Sequence, residues 1–428
     1  MVNRLFSIIL IIALLTPSLG YLSKGEIEQE NQSLSSDDII DMINQVDDSL
    51  LYYYLERLLR ISSRFTGTIN CIIAGQQIFD EFEKMGLDVE FHYWKFAGFN
   101  SRNVVATLPG SDPSSTAEYL ITAHYDTVRV APGANDDGSG VAAVLAIASI
   151  LSQYSFNHTI RFITFSGEEV GTYGSFCYAR DAYRSGDNIV AVLNADMIGY
   201  ADTSEGGNIL RFFPPDRSLW IFDYADEISE KYFDNIELSV ELMPHYIGSD
   251  HKAFVDYGYD AVWIAHHDEY PWGHSAEDTL EHINFTYEVK ATKLLLAILA
   301  ELGLKSIDIQ VVLKAPFEGR GYFFNRPIIK LDLGKLWYRE LRGVTLILGR
   351  ADAVAEVYSK EDIEYVVFCI DNNFMYWDST PPYEWKIEGK HSFLLGKYLL
   401  RVYVYTKTGK IAVDEMDMRI FTLSYQYG

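Results

Sequence analysis

Between residues 39 and 305 the sequence alternates short, wholly apolar runs with stretches of helical periodicity, which leaves few choices of fold. "NVVATLPG" (103–110), "YLITAHYD" (119–126), "TIRFITFSG" (159–167), "NIVAVLNADMIG" (188–199) and "DAVWIAH" (260–266) read as strands, with a shorter one at 236–242. "SGVAAVLAIASIL" (139–151), "GSFCYARDAYRS" (174–185), a segment near 217–232 and "TYEVKATKLLLAILAEL" (286–302) read as helices. Strands that are apolar on both faces must be covered on both faces. The pattern therefore predicts an α/β domain with a mostly parallel central sheet and helices on each side.

After residue 305 the pattern changes to short β-rich runs with turn residues between them, among them "VTLILG", "EYVVFCID" and "YEWKIEG". Thr408-Gly409 separates two such runs as a hairpin would. Residues 306–428 are expected to form a small all-β sandwich. It holds one histidine, His391, and no cluster of reactive side chains, so a binding or spacing module is expected.

The first twenty residues, "MVNRLFSIILIIALLTPSLG", have the layout of a secretory signal peptide: Arg4, an apolar run and a Thr-Pro-Ser exit. The run from Leu5 to Leu15 is shorter than the roughly 20 residues that span a bilayer, though an uncleaved anchor is the alternative. Residues 21–38 read as a polar linker, and no membrane span is expected in the mature chain. The expected location is secreted or extracytoplasmic. Asn31, Asn157 and Asn284 each begin an N-x-[ST] sequon that such a route could use. A net charge of −25 argues against nucleic acid or an anionic membrane as partner. Cys71, Cys177 and Cys369 are too dispersed for a disulfide framework or a thiolate metal site, and buried free thiols are expected.

Reactive groups gather where the strands end. "AHYD" places His124 and Asp126 two apart, on one face of an extended chain. "GANDDGSG" (133–140) carries Asp136 and Asp137, the latter placed to cap the next helix. "FSGEEVG" (165–171) sets Glu168 beside Glu169, "NADMIG" supplies Asp196, and "GHSAEDTL" (273–280) supplies His274. Any one of these is an ordinary turn or cap. Strand ends of one parallel sheet converge in space, however, and carboxylates gathered there repel unless cations join them. Mixed imidazole and carboxylate donors suit zinc or a similar divalent ion.

On these motifs, and on "ISSRFTGT" (61–68) and "MGLDVE" ahead of the first strand, residues 50–305 resemble the M28 metallopeptidases, the co-catalytic zinc exopeptidases. The resemblance implies two zinc ions per chain, or other divalent ions in their place. It gives His124 and Asp196 to one ion, Glu169 and His274 to the other, and Asp136 to both. It makes Glu168 the general base, Asp126 the group that orients His124, and Tyr246 in "YIGSDHKAF" an oxyanion donor, with Asp250 and His251 structural. The implied substrate is a peptide or protein, cut from its N-terminus. Carboxypeptidase or dipeptidase action and a single-zinc glutaminyl cyclase are the alternatives. A carboxypeptidase would need a cation for the terminal carboxylate, with Arg211 and Arg217 as candidates. His266, His267, Tyr270 and Trp272 are candidate walls of a substrate pocket. The tail from about 320 to 424 resembles an immunoglobulin-like module.

Overall fold

The computed structural model describes residues 34–244, 246, 248–305, 309–316, 320–330, 345–387 and 393–422. The expected signal segment, most of the linker, Asn31, and His391 lie outside the described residues. Three helices come first: α1 (Ser36–Ile43), α2 (Asp48–Leu59) and α3 (Ile69–Lys84), capped by the side chains of Ser35, Asp47 and Thr68. Ser35 and Asp38 form a reciprocal capping box, so the stretch expected as linker to residue 38 is already helical from Ser36.

An eight-stranded sheet follows, in the order β1-β2-β4-β3-β5-β8-β6-β7. Its first three strands are β1 (Asp88–Phe96), β2 (Phe99–Leu108) and β3 (Ala117–His124). They lead through α4 (Gly140–Leu151), β4 (Thr159–Phe165) and α5 (Tyr173–Ser185) to β5 (Asn188–Ala195). Then come β6 (Ile209–Phe213), α6 (Leu219–Lys231), α7 (Phe233–Ile236), β7 (Ser239–Leu242), α8 (His251–Asp256), β8 (Ala261–His266) and α9 (Phe285–Leu304).

The four central strands, β4-β3-β5-β8, are parallel as the apolar runs predicted. The flanks are not: β2 joins β4 antiparallel, and β6 joins β8 antiparallel. Two of these elements gave no clear signal. β6 is short and alternates buried with half-buried residues. The β1–β2 hairpin turns through Ala97 and Gly98, both at positive φ, where Asn-Gly would have announced it. β3 is buried on both faces from Tyr119 to His124. α4 and α9 cover one side, and Phe176, Tyr178 and Phe254 of α5 and α8 pack with Leu120, Val192 and Phe165 on the other.

The β region opens with β9 (Ile309–Ala315), β10 (Arg320–Phe323), β11 (Arg326–Lys330), β12 (Thr345–Leu348) and β13 (Ala351–Ser359). It continues with β14 (Ile363–Ile370), β15 (Asn373–Asp378), β16 (Tyr383–Ile387), β17 (Phe393–Thr406) and β18 (Ile411–Thr422). A seven-stranded sheet, β11-β10-β12-β18-β17-β14-β15, faces a three-stranded one, β16-β13-β9. Phe368, Val402 and Met418 from the first meet Ala353, Trp385 and Val311 from the second in one core, as a sandwich requires. The region meets the α/β domain where β5 and β8 begin. Asn188 and Gln310 exchange side-chain hydrogen bonds there, and a cleft of about 410 Å³ is lined by Asp187, Arg217, Asp260, Gln310 and Asp414.

Two of the sequons are structurally committed. The Asn157 amide donates to Leu304 O at 2.6 Å, and Asn284 caps α9 while donating to Ala201 O at 2.9 Å. Both side chains are therefore engaged within the fold. All three cysteines are free and buried, as expected.

Glu288, in the first turns of α9, is fully buried with both carboxyl oxygens unpartnered, and Thr292 one turn on is in the same state. Burial alone pushes the Glu288 carboxyl up from 4.5 to about 8. Between those values the unfolded chain releases a proton that the folded chain keeps. Stability therefore falls as pH rises through that window and levels off above it. Glu288→Gln should match the parent in thermal midpoint near the lower value. Its unfolding free energy should then exceed the parent's progressively up to the higher value, by about 1.4 kcal/mol per pH unit, and its midpoint should rise accordingly. A gap that does not change with pH would contradict this origin.

Candidate metal centre

The register of the parallel strands delivers the side chains. His124 is the last residue of β3, Asp196 follows β5 directly, and Glu168 and Glu169 follow β4 by a short turn. That turn is closed by Gly171 N and Thr172 N, which both donate to Glu168 O at 2.8 and 2.9 Å. It sends the two glutamates apart. Glu169 Oε1 accepts from Val128 N at 3.1 Å and Oε2 lies 3.2 Å from His274 Nε2. Glu168 has His124, Asp196, Asp126 and Asp250 as its charged neighbours.

Asp136 stands between two donor sets. Its Oδ1 is 3.2 Å from His124 Nε2, which is 3.6 Å from Asp196 Oδ1. Its Oδ2 is 3.1 Å from His274 Nε2, which faces Glu169. One carboxylate thus offers one oxygen to each histidine. His124, Asp137 and Asp196 also come within ligand distance of one another. Asp137, however, accepts from the backbone N–H groups of His124, Gly140 and Met197 at 3.0–3.1 Å. We therefore read it as a brace, which also caps α4 as expected. A Cβ on Gly140 would lie 2.5 Å from that carboxylate and 2.3 Å from Ala195 O, so only glycine fits there.

Asp126 is fully buried, accepting from Thr66 Oγ1 at 2.6 Å and from Glu168 N at 3.2 Å. Its relation to His124 differs in detail from the expectation. The imidazole Nδ1 is 3.1 Å from the Asp126 main-chain oxygen and 3.7 Å from its carboxylate. Either way Nδ1 is engaged and Nε2 is left to face Asp136 and Asp196. Tyr246 is more than half exposed. Its ring tilts over Trp263, 5.4 Å between centroids, and Trp263 donates to Asp196 O. No hydrogen bond joins its hydroxyl to the described site residues. His251 Nε2 donates to Tyr246 O at 2.8 Å, and Asp250 accepts from Ser175, consistent with structural roles for both.

Four functional candidates escaped the sequence reading. A buried chain runs from Thr122 Oγ1 to Asn194 Oδ1 (2.7 Å), from Asn194 Nδ2 to Ser249 Oγ (2.7 Å), and from Ser249 to Asp196 Oδ2. The fourth is Arg64, wholly buried, whose guanidinium donates to the carbonyls of Tyr125, Pro132 and Gly133 and so pins the loop ahead of Asp136. Only "N-x-D" at 194–196 hinted at the chain. The rest are single polar residues whose partners are remote in sequence. Among the pocket candidates, His266 packs with Tyr200 and Tyr270, and Trp272 stacks on His282. Burial pushes the His266 imidazole down to about 4, so it is neutral, with Nε2 against the Asn135 amide at 3.0 Å.

Among the described residues no lysine or arginine forms an ion pair with Asp126, Asp136, Asp137, Glu168, Glu169 or Asp196. The donor chemistry, two nitrogen-and-oxygen sets sharing one carboxylate, fits two divalent ions such as zinc. His124, Asp136 and Asp196 would hold one, and His274, Asp136 and Glu169 the other.

Residues 103–299 match the family profile "Peptidase family M28". Over that stretch the chain is similar to peptidase family M28. A "Probable leucine aminopeptidase" of Trichophyton verrucosum is 30% identical over 224 residues, 49% of this chain and 59% of that protein. "Aminopeptidase YwaD" of Bacillus subtilis is 30% identical over 209 residues, 44% of this chain and 42% of that protein. The chain thus spans about half the length of these relatives. Among solved structures, a zinc aminopeptidase from Bacillus subtilis, BSAP, superposes with a TM-score of 0.55 at 18% identity, over 61% of this chain and 96% of that one. A Bacteroides thetaiotaomicron glutaminyl cyclase gives 0.50 at 19% identity, over 60% and 98%. At these identities the structures share the fold of the α/β domain.

In the metal-free chain the histidines carry the compensating charge. Hydrogen bonds to Asp136 and Glu169 push the His274 imidazole up to about 10. Burial opposes charge on His124, but Asp196 and Asp136 outweigh it and push it well up. Burial works to raise Asp136, yet both histidines hold it below the usual carboxylate range. A metal needs neutral imidazoles, so binding must expel these protons. Calorimetry in buffers of different ionisation enthalpy should show about two protons released at neutral pH. Affinity should rise with pH up to about 10. Proton release near zero would contradict this assignment.

Proposed function

We propose that this chain is an exported two-metal exopeptidase that removes residues from the free N-terminus of peptides. The observation that carries it is Asp136, one carboxylate whose two oxygens face two different histidines. The aminopeptidase names of the relatives, and the signal-like first twenty residues, support the rest of the reading.

When bound, a pair of divalent ions supplies an acidified water and polarises the scissile carbonyl. The chain's own residues do the remainder. His124, Asp136, Asp196, Glu169 and His274 fix where the ions sit. Glu168, half-buried beside the His124 set, takes the water's proton on its carboxylate and returns it to the leaving amine. Burial pushes the Glu168 carboxyl well up, opposed by His124 and reinforced by Asp250 and Asp196, which suits a group that must hold a proton between steps. Tyr246 is the proposed oxyanion donor, reached by rotation of an exposed ring.

The fold is shared with a glutaminyl cyclase, but a single-zinc acyltransferase has no use for a second donor set around Asp136. Both candidate cations for a carboxypeptidase already have protein partners, which favours the N-terminal reading. Arg211 is bound to Glu241 at 2.7 Å and to His267 O at 2.6 Å. Arg217 binds Asp260 at 2.7 Å, where β8 begins, at the sheet edge opposite the ligands.

The test is cleavage of free, N-acetylated and C-terminally amidated peptides by metal-loaded protein. Activity lost on acetylation and kept on amidation is expected; the reverse pattern would make it a carboxypeptidase. Glu168→Gln should keep both metals while turnover falls by about 10²–10⁴-fold. Glu169→Gln should instead lower the metal content. Full turnover by Glu168→Gln would remove Glu168 from the mechanism.

A further inference from the structure

His274 sits on a long irregular loop between β8 and α9. It is 64% exposed at its side chain and adopts φ 55°, while the other four candidates are buried or nearly so. Nothing in the sheet register fixes such a group, yet its Nε2 meets Asp136 Oδ2 at 3.1 Å. What fixes it lies four residues further along.

Asp278 is fully buried and gathers three consecutive backbone N–H groups of the neighbouring loop. Its main-chain oxygen accepts from Ala134 N at 3.2 Å, Oδ1 from Asn135 N at 2.8 Å, and Oδ2 from Asp136 N at 3.1 Å. Oδ1 also accepts from Tyr270 Oη at 2.6 Å, closing residues 270–278 into a ring that carries His274. Inside that ring Ser275 Oγ donates to Trp272 O at 2.7 Å, and Trp272 stacks on His282, 3.5 Å between centroids. One carboxylate therefore ties the His274 loop to the loop of the bridging aspartate.

We propose that Asp278, with Tyr270 as its partner, is a positioning residue that sets the separation of Asp136 and His274 and hence the affinity of the second metal position. It is not itself a ligand, because both oxygens are taken by N–H and O–H donors. The first position shares Asp136 but takes its other two candidate ligands, His124 and Asp196, from the ends of β3 and β5 without help from the 270–278 loop. The inference rests on the two-metal reading given above.

The substitution Asp278→Asn keeps the volume but turns an amide toward one of the two N–H donors. Zinc affinities of the intact chain are measured by competition with a chromophoric chelator. The parent should show two classes of site. Asp278→Asn should lose affinity at the weaker class by about 10–100-fold and lower that of the tighter class, which shares only Asp136, by a clearly smaller factor. Tyr270→Phe, which removes only the hydroxyl, should weaken the same class by a smaller factor and cover the case in which Asp278→Asn does not fold. Equal losses in both classes, or none in a folded variant, would overturn the proposal. A parent that binds a single zinc would overturn the two-metal reading instead, so the two failures are distinguishable.

Discussion

Everything at the C-terminal edge of the sheet answers to one electrostatic conflict: too many buried carboxylates in too small a space. Charge of one sign held in a low-dielectric interior costs several kcal/mol per group unless something compensates. The chain resolves this in two ways. Asp126, Asp137 and Asp278 are stabilised by neutral donors, mostly backbone N–H groups of adjacent loops. Asp136, Asp196 and Glu169 keep oxygens turned toward the two histidines, where a cation completes the balance. The first group builds the loops that the second group works from.

The sheet makes this arrangement reproducible. β3 lies between β4 and β5 in a parallel register, so the chain leaves all three strands on the same side and at similar height. Because the strands are apolar on both faces, a slip would expose core residues, and the height of each loop is fixed by burial far from the site. Small residues in α4 let that helix pack closely behind the loop of Asp136, and Gly140 removes the one side chain that would collide with Asp137. The β region attaches at the opposite edge, against the beginnings of β5 and β8, and leaves the edge with the candidate ligands to the loops of the α/β domain.

Much of this was legible before any coordinates. Long apolar runs such as 119–126 and 159–167 identified the central strands because no other element tolerates burial on both faces. The candidate ligands stood out because each lies at the end of such a run or in the loop that follows it. What escaped were elements with weak local signals: β6, short and half-buried, and the β1–β2 hairpin with alanine at a left-handed position. The start of α1 inside the expected linker escaped for a similar reason, since "SSDD" reads as polar linker until the Ser35–Asp38 box is seen.

The sequence by itself determined the α/β class, the order of the strands that carry reactive groups, and the residue types that demand a divalent cation. Those follow from periodicity and from charge, which are local or additive properties. Only the tertiary structure decided that Asp136 faces both histidines, that Asp137 is a brace, and that Arg64, Ser249 and Asp278 hold the site in shape. Hydrogen-bond partners some 50 to 140 residues apart leave no trace in periodicity or spacing, because each is set by where two loops meet.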